Sequence, residues 1–207
     1  MPSQVSLEKT RSGRFVVLSS DSSETSEVHL LDLHAPHAQL QCMQARVFGT
    51  LYSADHTGAW VVIVTNADGA KNFKLVVTPV GALGKKHWVP LPSVDSNVTA
   101  FDYQPERMVN SVECFRDFIA VFGRQSGLTQ LYILNLAGGE LAAWHQVEWP
   151  EAAYAINPSV NKVFNADAVR IKYSSLVTPT MTCMYDMTRR TLTTLKGTRP
   201  GKLGTPP

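Results

Sequence analysis

Short runs of apolar residues that alternate with polar ones recur along the chain, and each run ends in a cluster of glycine, proline, asparagine, aspartate or serine. Alternation with a period of two, together with enrichment in valine, isoleucine, tyrosine and threonine, is typical of half-buried β-strands. Helical periodicity is nearly absent. The pattern therefore predicts an all-β protein.

Four segments share one arrangement, in which a strand, a polar corner and a second strand follow each other. Their sequences are GRFVVLSSDSSETSEVHLLDL, GAWVVIVTNADGAKNFKLVVTPV, RDFIAVFGRQSGLTQLYILNLAGG and DAVRIKYSSLVTPTMTCMYDMTRR. The first strand recurs at Phe15, Trp60, Phe118 and Val169, so the repeat length ranges from 60 − 15 = 45 to 118 − 60 = 58 residues. This range brackets the length of a β-propeller blade.

Each hairpin is flanked by two further predicted strands. The preceding strands are VSLEKT, FGTLYSA, VTAFDYQ and AYAINPS, and the following strands are AQLQCMQ, HWVPLP, WHQVEW and TLTTLK. A sheet of four strands cannot bury both of its faces alone, so neighbouring sheets stack around an axis. We predict four blades of four antiparallel strands, at about residues 4–45, 46–93, 97–150 and 152–197, followed by a disordered tail at 198–207. On the pattern alone, a two-sheet β-sandwich is also compatible.

Composition narrows the partners and the compartment. The 207 residues carry 19 Lys and Arg against 17 Asp and Glu, a formal net charge of +2 that is spread along the chain. Neither a nucleic acid nor an anionic membrane is therefore expected as a partner. No apolar run reaches the roughly 20 residues that span a bilayer, and no signal peptide is visible. We expect a soluble, cytoplasmic protein.

Cysteine and histidine give no sign of a metal or cofactor site. Cys42, Cys114 and Cys183 are odd in number and unpaired in sequence, which argues against disulfides and a cysteine zinc site. Cys42 and Cys183 lie in predicted strands and are expected to pack in the core, whereas the place of Cys114 stays open. His34 and His37 flank Pro36 in a predicted surface loop.

The remaining aromatic and histidine positions are assigned no chemistry. His29, His56, His87 and His145 have no carboxylate or histidine partner at a recognised ligand spacing, and Trp60, Trp88, Trp144 and Trp149 are expected to pack between blades. No cofactor, metal ligand or catalytic residue is predicted in this chain.

Motifs of hydrolases and nucleotide-binding proteins are missing from the sequence. No G-x-S-x-G elbow is present, and the nearest stretch, Gly123 to Gly127, has another spacing and lies in a predicted corner, where Ser126 is a turn residue. The Walker motif G-x-x-x-x-G-K-[ST] has no match.

The stretch TNADGAKNFKL, from Thr65 to Leu75, superficially resembles a calcium loop through Asn66 and Asp68. However, Gly69 follows Asp68 directly, and Lys71 would occupy the space of a cation. An Asp-Gly pair tolerates positive φ at low cost, so the stretch predicts a hairpin corner instead.

Three stretches carry a resemblance to a known family. TNADGAKNFKLVVTPV (Thr65–Val80), SETSEVHLLDL (Ser23–Leu33) and VRIKYSSLVTPTMTCMYDM (Val169–Met187) are similar to propeller blades of the oligopeptidase B branch of the prolyl oligopeptidase family of serine peptidases. The last stretch contains the S-S-L-x-T-P signature of that family's final blade. The resemblance extends over roughly Val5 to Lys196.

The resemblance implies a seven-bladed propeller that caps an α/β-hydrolase domain and admits only short, unstructured peptides to the Ser-Asp-His triad of that domain. This chain would then be the propeller portion of a peptidase that cleaves after Arg or Lys, with no triad residue, about three blades fewer, and no activity alone. Peptide substrates would matter only together with a catalytic domain. Two apolar blade faces would be left exposed, which favours self-association. The alternative is a non-catalytic propeller that binds proteins.

Overall fold

The computed structural model describes residues 4–197, so the predicted tail at 198–207 lies outside the described residues. Fifteen strands form four antiparallel sheets within that range, and they are named here as blades 1 to 4 in chain order. Blade 1 contains β1 (Gln4–Lys9), β2 (Phe15–Asp21), β3 (Ser26–Asp32) and β4 (Leu40–Gln44); blade 2 contains β5 (Tyr52–His56), β6 (Trp60–Thr65) and β7 (Lys74–Pro79); blade 3 contains β8 (Arg107–Cys114), β9 (Phe118–Gln125), β10 (Leu128–Ala137) and β11 (Glu140–Gln146); blade 4 contains β12 (Tyr154–Pro158), β13 (Ala168–Ser175), β14 (Met181–Asp186) and β15 (Thr191–Gly197).

The strands of each blade pair in sequence order, as an up-and-down sheet requires. Two 3-10 helices, Ala67–Gly69 and Lys85–His87, lie in the connections of blade 2. They are the only helices among residues 4–197, and with three residues each they are too short to cross a membrane. The all-β propeller architecture predicted from the repeats is confirmed.

Blade 2 has a shortened fourth strand. The predicted strand HWVPLP forms an isolated bridge, in which Val77 and Val89 exchange backbone hydrogen bonds of 2.8 and 2.9 Å. Pro90 and Pro92 follow the bridge and carry no amide hydrogen, so they cannot extend the ladder.

The first strand of blade 3 lies later than predicted. VTAFDYQ, from Val98 to Gln104, is a loop, and β8 begins at Arg107 instead. The loop contains apolar residues because it packs against blade 3: Phe101 is 6% exposed and contacts the Trp144 ring edge-on, with 5.2 Å between the ring centroids. The prediction of a strand there was wrong because a loop that buries some of its residues can show the same alternation of apolar and polar positions as a strand.

Three apolar clusters fill the spaces between successive blades, so the core is divided among the blade interfaces. Blade 3 is buried on both faces: Leu134 on β10 joins the cluster with blade 2, and its neighbour Ile133 joins the cluster with blade 4. The four tryptophans pack against these clusters, as predicted. Trp60 and Trp144 contact the cluster between blades 2 and 3, Trp88 the one between blades 1 and 2, and Trp149 the one between blades 3 and 4.

The two blades at the ends of the array differ in their free faces. Blade 1 turns an apolar face away from blade 2, and we call it the open face of blade 1. Strand register and burial place on it Val5, Leu7, Val16, Leu18, Leu31 and Leu40, together with Glu27, His29 and Cys42. Leu7 is 69% exposed and Val5 64% exposed.

The free face of blade 4 is polar. Val169, Ile171 and Tyr173 point towards blade 3, and the alternate positions of β13, Arg170, Lys172 and Ser174, face outward. The expectation of two apolar end faces is therefore correct for blade 1 and wrong for blade 4, where the alternating outward positions carry charge and hydroxyl groups.

Candidate functional site

A central cavity of about 750 Å³ lies where the first strands of blades 1 to 3 meet the segment that follows β12 in blade 4. Polar side chains from every blade line it. They include Ser6 and Glu8 from blade 1, Ser53 from blade 2, Ser111 and Glu113 from blade 3, and Lys162 from blade 4. A cavity with hydroxyl groups and charges of both signs suits passage or weak binding of a polar chain more than tight binding of an apolar ligand.

Arg11 links the four blades at the end of the cavity where the first strands finish. It follows β1, and its guanidinium Nε donates a 2.7 Å hydrogen bond to the carbonyl oxygen of Asn161 in blade 4. Nη1 donates a 2.8 Å hydrogen bond to the carbonyl oxygen of Cys114 in blade 3. The same group lies 3.8 Å from Asp55 Oδ2 in blade 2 and 3.6 Å from Glu113 Oε2.

The guanidinium of Arg11 also lies over the Phe115 ring, 4.8 Å from its centroid. A planar group with five donors is well suited to such a junction, because it can satisfy two carbonyls and two carboxylates at once. A single side chain therefore cross-links segments that are up to 150 residues apart in sequence.

The carboxylates around Arg11 are themselves held in place. Asp55 Oδ2 accepts a 2.9 Å hydrogen bond from the backbone N–H of Cys114, and Glu113 Oε2 accepts a 2.6 Å bond from the side-chain amide of Asn161. Burial raises the pKa of Asp55, and the hydrogen bonds from the Cys114 and His56 amides and the charge of Arg11 oppose that effect. Burial likewise raises the pKa of Glu113, against the opposing charge of Arg11.

His56 lies next to this junction and is buried. Its Nδ1 lies 2.7 Å from Ser12 Oγ, and its ring contacts Phe15 edge-on at 4.8 Å. Burial, with a smaller contribution from the charge of Arg14, lowers the pKa of His56 to about 4. The imidazole is therefore neutral at pH 7 and acts as a packed, hydrogen-bonded group.

The Asp68 carboxylate of the TNADGAKNFKL corner pairs with two lysines, one of them outside the corner. Asp68 has a φ of 56° and Gly69 a φ of 79°, which confirms the prediction of an Asp-Gly corner with positive φ. The Asp68 carboxylate lies 3.1 Å from Lys74 Nζ and 2.9 Å from Lys85 Nζ, and the hydrogen bonds of these lysines lower its pKa. The ammonium groups of Lys74 and Lys85 lie where a metal ion bound to Asp68 would have to lie. The sequence had suggested Lys71 for this place.

The corner from Gly123 to Gly127, whose sequence is nearest to a nucleophile elbow, is also a turn. Ser126 has a φ of 52°, is exposed, and stands between β9 and β10. His34 and His37 are exposed in the turn between β3 and β4, as predicted for a surface loop.

The three cysteines occupy different environments. Cys183 is 1% exposed and packs in the cluster between blades 3 and 4, as predicted, and Cys114 is fully buried. Cys42 is exposed, so the prediction that it packs in the core was wrong. Cys42 pairs with His29, and Leu40 pairs with Leu31, so the regular register of β4 places both side chains on the open face. The next residue, Met43, takes the inward position and is 1% exposed.

Sequence analysis also missed a partner of His29. Glu27 precedes His29 by two positions on β3, which places both side chains on the same face of the strand. Glu27 Oε1 lies 3.9 Å from His29 Nε2, and Cys42 stands opposite His29 on β4. The statement that His29 lacks a partner was therefore wrong, and the spacing of two along a strand was the available signal.

Comparison with known proteins gives a matching family of propeller domains and several relatives. Residues 2–198 match the sequence model of a family described as prolyl oligopeptidase, N-terminal beta-propeller domain. The chain is 33% identical over 176 residues to Protease 2 of Moraxella lacunata, covering 85% of this chain and 23% of that protein. It is 28% identical over 183 residues to dipeptidyl aminopeptidase BI of Pseudoxanthomonas mexicana, covering 88% of this chain and 23% of the relative.

Solved structures give the same result. Oligopeptidase B from Trypanosoma brucei, with covalently bound antipain in a closed form, superimposes with a TM-score of 0.80 at 26% identity and covers 94% of this chain and 27% of that one. Oligopeptidase B from Leishmania major gives a TM-score of 0.79 at 25% identity, with 94% and 27% covered. The chain thus spans about a quarter of the length of these relatives.

Proposed function

Because the chain belongs to the prolyl oligopeptidase family, where it corresponds to part of the N-terminal β-propeller domain, we propose that it acts as a steric filter for peptides. The peptides pass along the central cavity to a serine-peptidase active site that lies outside these 207 residues. In this proposal, the assembled peptidase is of the oligopeptidase B type and cleaves short peptides after Arg or Lys.

One observation carries the proposal: the cavity has a polar wall from all four blades and a junction at one end, where Arg11 contacts blades 2, 3 and 4. The junction fixes the spacing of the first strands, and that spacing sets the width of the passage. The filter contributes sterically, and the bond-breaking chemistry belongs to the active site.

A chimera tests the filter. Residues 2–198 replace the matched segment of Protease 2 from Moraxella lacunata, and kcat/KM is measured for Arg-containing fluorogenic peptides of two and eight residues. Ser53 is exposed on the cavity wall, so Ser53→Trp narrows the passage. We expect kcat/KM for the octapeptide to fall roughly tenfold more than kcat/KM for the dipeptide, a difference of about 1.4 kcal/mol.

Ser96→Trp, at an exposed loop position outside the cavity, serves as the matched control and should leave both values unchanged. An equal effect of Ser53→Trp on the two peptides, or no effect on either, would contradict the filter. The chain by itself is expected to release no fluorophore from these peptides, and turnover that survives purification would contradict its assignment as the non-catalytic portion.

The open face of blade 1 favours a second candidate function, that of an interaction module. The occupant that we propose is a second copy of this chain in a symmetric dimer, blade 1 against blade 1. The outward positions of β13 on the free face of blade 4 carry the charged residues Arg170 and Lys172, so a head-to-tail contact of this face with the apolar open face is disfavoured.

We expect light scattering of the purified chain of 22.8 kDa to give the mass of a dimer. Leu7→Lys places a charge within the open face and should yield a monomer. Val163→Lys, at a position that is 65% exposed away from that face, is the matched control and should remain dimeric. A monomeric wild-type chain, or a dimer that survives Leu7→Lys, would rule out this interface.

A further inference from the structure

Three side chains with different ligand atoms meet on the open face of blade 1. Glu27 and His29 lie two positions apart on β3, and Cys42 lies opposite His29 on β4. One carboxylate oxygen, one imidazole nitrogen and the thiol sulfur all lie within 4.8 Å of one another. None of the three belongs to the central cavity or to its Arg11 junction.

The spacing is close to what a tetrahedral zinc site requires. With Zn–N and Zn–O bonds of about 2.0–2.2 Å and a Zn–S bond of about 2.3 Å, ligand atoms lie about 3.4–3.6 Å apart. Glu27 Oε1 and His29 Nε2 are already 3.9 Å apart. Side-chain rotation alone can close the remaining gap, because all three side chains are at least partly exposed.

The backbone around the three residues is fixed. The regular pairing of β3 with β4 sets His29 opposite Cys42, and the Tyr52 hydroxyl secures the adjacent β-bulge by accepting a 2.8 Å hydrogen bond from the Val28 amide and donating one to the Gln44 carbonyl. The Arg46 backbone amide donates a 3.1 Å hydrogen bond to Glu27 Oε2. That bond leaves Oε1 directed to His29, as an outer-shell donor orients a ligating carboxylate.

We propose that Glu27, His29 and Cys42 form a zinc-binding site on the open face of blade 1, with a water molecule at the fourth position. Thiolate and imidazole ligands favour Zn²⁺ over Ca²⁺ and Mg²⁺, which prefer oxygen ligands alone. Binding replaces the S–H bond of Cys42 by a Zn–S bond and releases one proton to solvent.

The experiment is a titration of the intact, reduced chain with Zn²⁺ alone, followed by calorimetry and by the charge-transfer absorption of the Co²⁺-substituted site. We expect one ion per chain and a thiolate-to-cobalt band. Cys42→Ser, His29→Gln and Glu27→Gln should each weaken binding roughly tenfold or more. The double variant His34→Gln/His37→Gln, which removes two exposed histidines of the neighbouring turn, is the control and should bind as the wild type does.

Alkylation gives an independent readout. Cys42 is the exposed cysteine, while Cys114 and Cys183 are 0% and 1% exposed, so a thiol reagent applied to the folded chain reports on Cys42. Saturating zinc should slow this reaction at least about tenfold, because a metal-bound thiolate is a shielded nucleophile. The titration is repeated with Leu7→Lys, three strands away, so that self-association does not cover the site.

The proposal is overturned if zinc binding is unchanged in Cys42→Ser, if it is lost in the His34/His37 control, or if saturating zinc leaves the alkylation rate unaltered. Since Cys42 is exposed, Cys42→Ser is not expected to impair folding, and an unchanged circular dichroism spectrum checks this.

Discussion

Replacing Arg11 with methionine should lower the free energy of unfolding by about 3 kcal/mol at pH 7, near the low end of the cost of removing one partner from a buried ion pair. The substitution leaves Asp55 and Glu113, whose side chains are 21% and 14% exposed, without their counter-ion. It also leaves the carbonyl oxygens of Cys114 and Asn161 without a donor. Urea unfolding followed by tryptophan fluorescence measures the loss.

The pH dependence identifies the cause of this loss. Asp55 and Glu113 have raised pKa values in the folded chain, so the folded state takes up protons more readily than the unfolded state does. The stabilisation from that uptake is present at low pH and is lost as the pH rises through the folded pKa values. Without Arg11 both values rise further, so the deficit of Arg11→Met should shrink as the pH falls from 7 towards about 5.

Two further variants serve as controls for Arg11→Met. Arg14 pairs with Asp32 at 2.9 Å, with side chains 33% and 25% exposed, and Arg14→Met should cost about 1 kcal/mol or less. The triple variant Arg11→Met/Asp55→Asn/Glu113→Gln removes the unpaired charges and should recover much of the stability. If Arg11→Met were no more destabilising than Arg14→Met, the four-blade junction would not contribute as described.

Truncation of either of two adjacent residues in the middle of β10 should destabilise the chain by about 2–5 kcal/mol. Ile133 and Leu134 are both 0% exposed and belong to different clusters, one on each face of blade 3. Ile133→Ala therefore opens a cavity between blades 3 and 4, and Leu134→Ala opens one between blades 2 and 3. The midpoints of thermal or urea unfolding measure both losses.

The two-sided burial of blade 3 distinguishes stacked blades from a two-sheet sandwich, in which a strand usually has one face in solvent. Lys172→Ala, on the polar face of blade 4, is the control and should change stability by about 0.5 kcal/mol or less. A cost below about 1 kcal/mol for either Ile133→Ala or Leu134→Ala would mean that one face of blade 3 is not packed as described.

Several local features were predictable because each depends on neighbouring residues alone. The hairpins of all four blades follow from period-two alternation and polar corners, and the positive φ of Asp68 and Gly69 follows from the Asp-Gly pair. The position of β8 was not predictable in this way. The apolar side chain of Phe101 suggested a strand in the sequence. In the structure Phe101 lies in a loop, and it is buried because Arg107 and Trp144 pack on it from other segments.

The sequence by itself determined the all-β class, the repeat and the family, because strand propensity, alternation and turn chemistry act over a few residues. The tertiary structure alone decided the Arg11 junction, which joins groups up to 150 residues apart, and the polar character of the free face of blade 4. It also decided the meeting of Glu27, His29 and Cys42. Glu27 and His29 share one face of β3 by alternation, but only the register between β3 and β4 shows that Cys42 lies opposite His29 on that face.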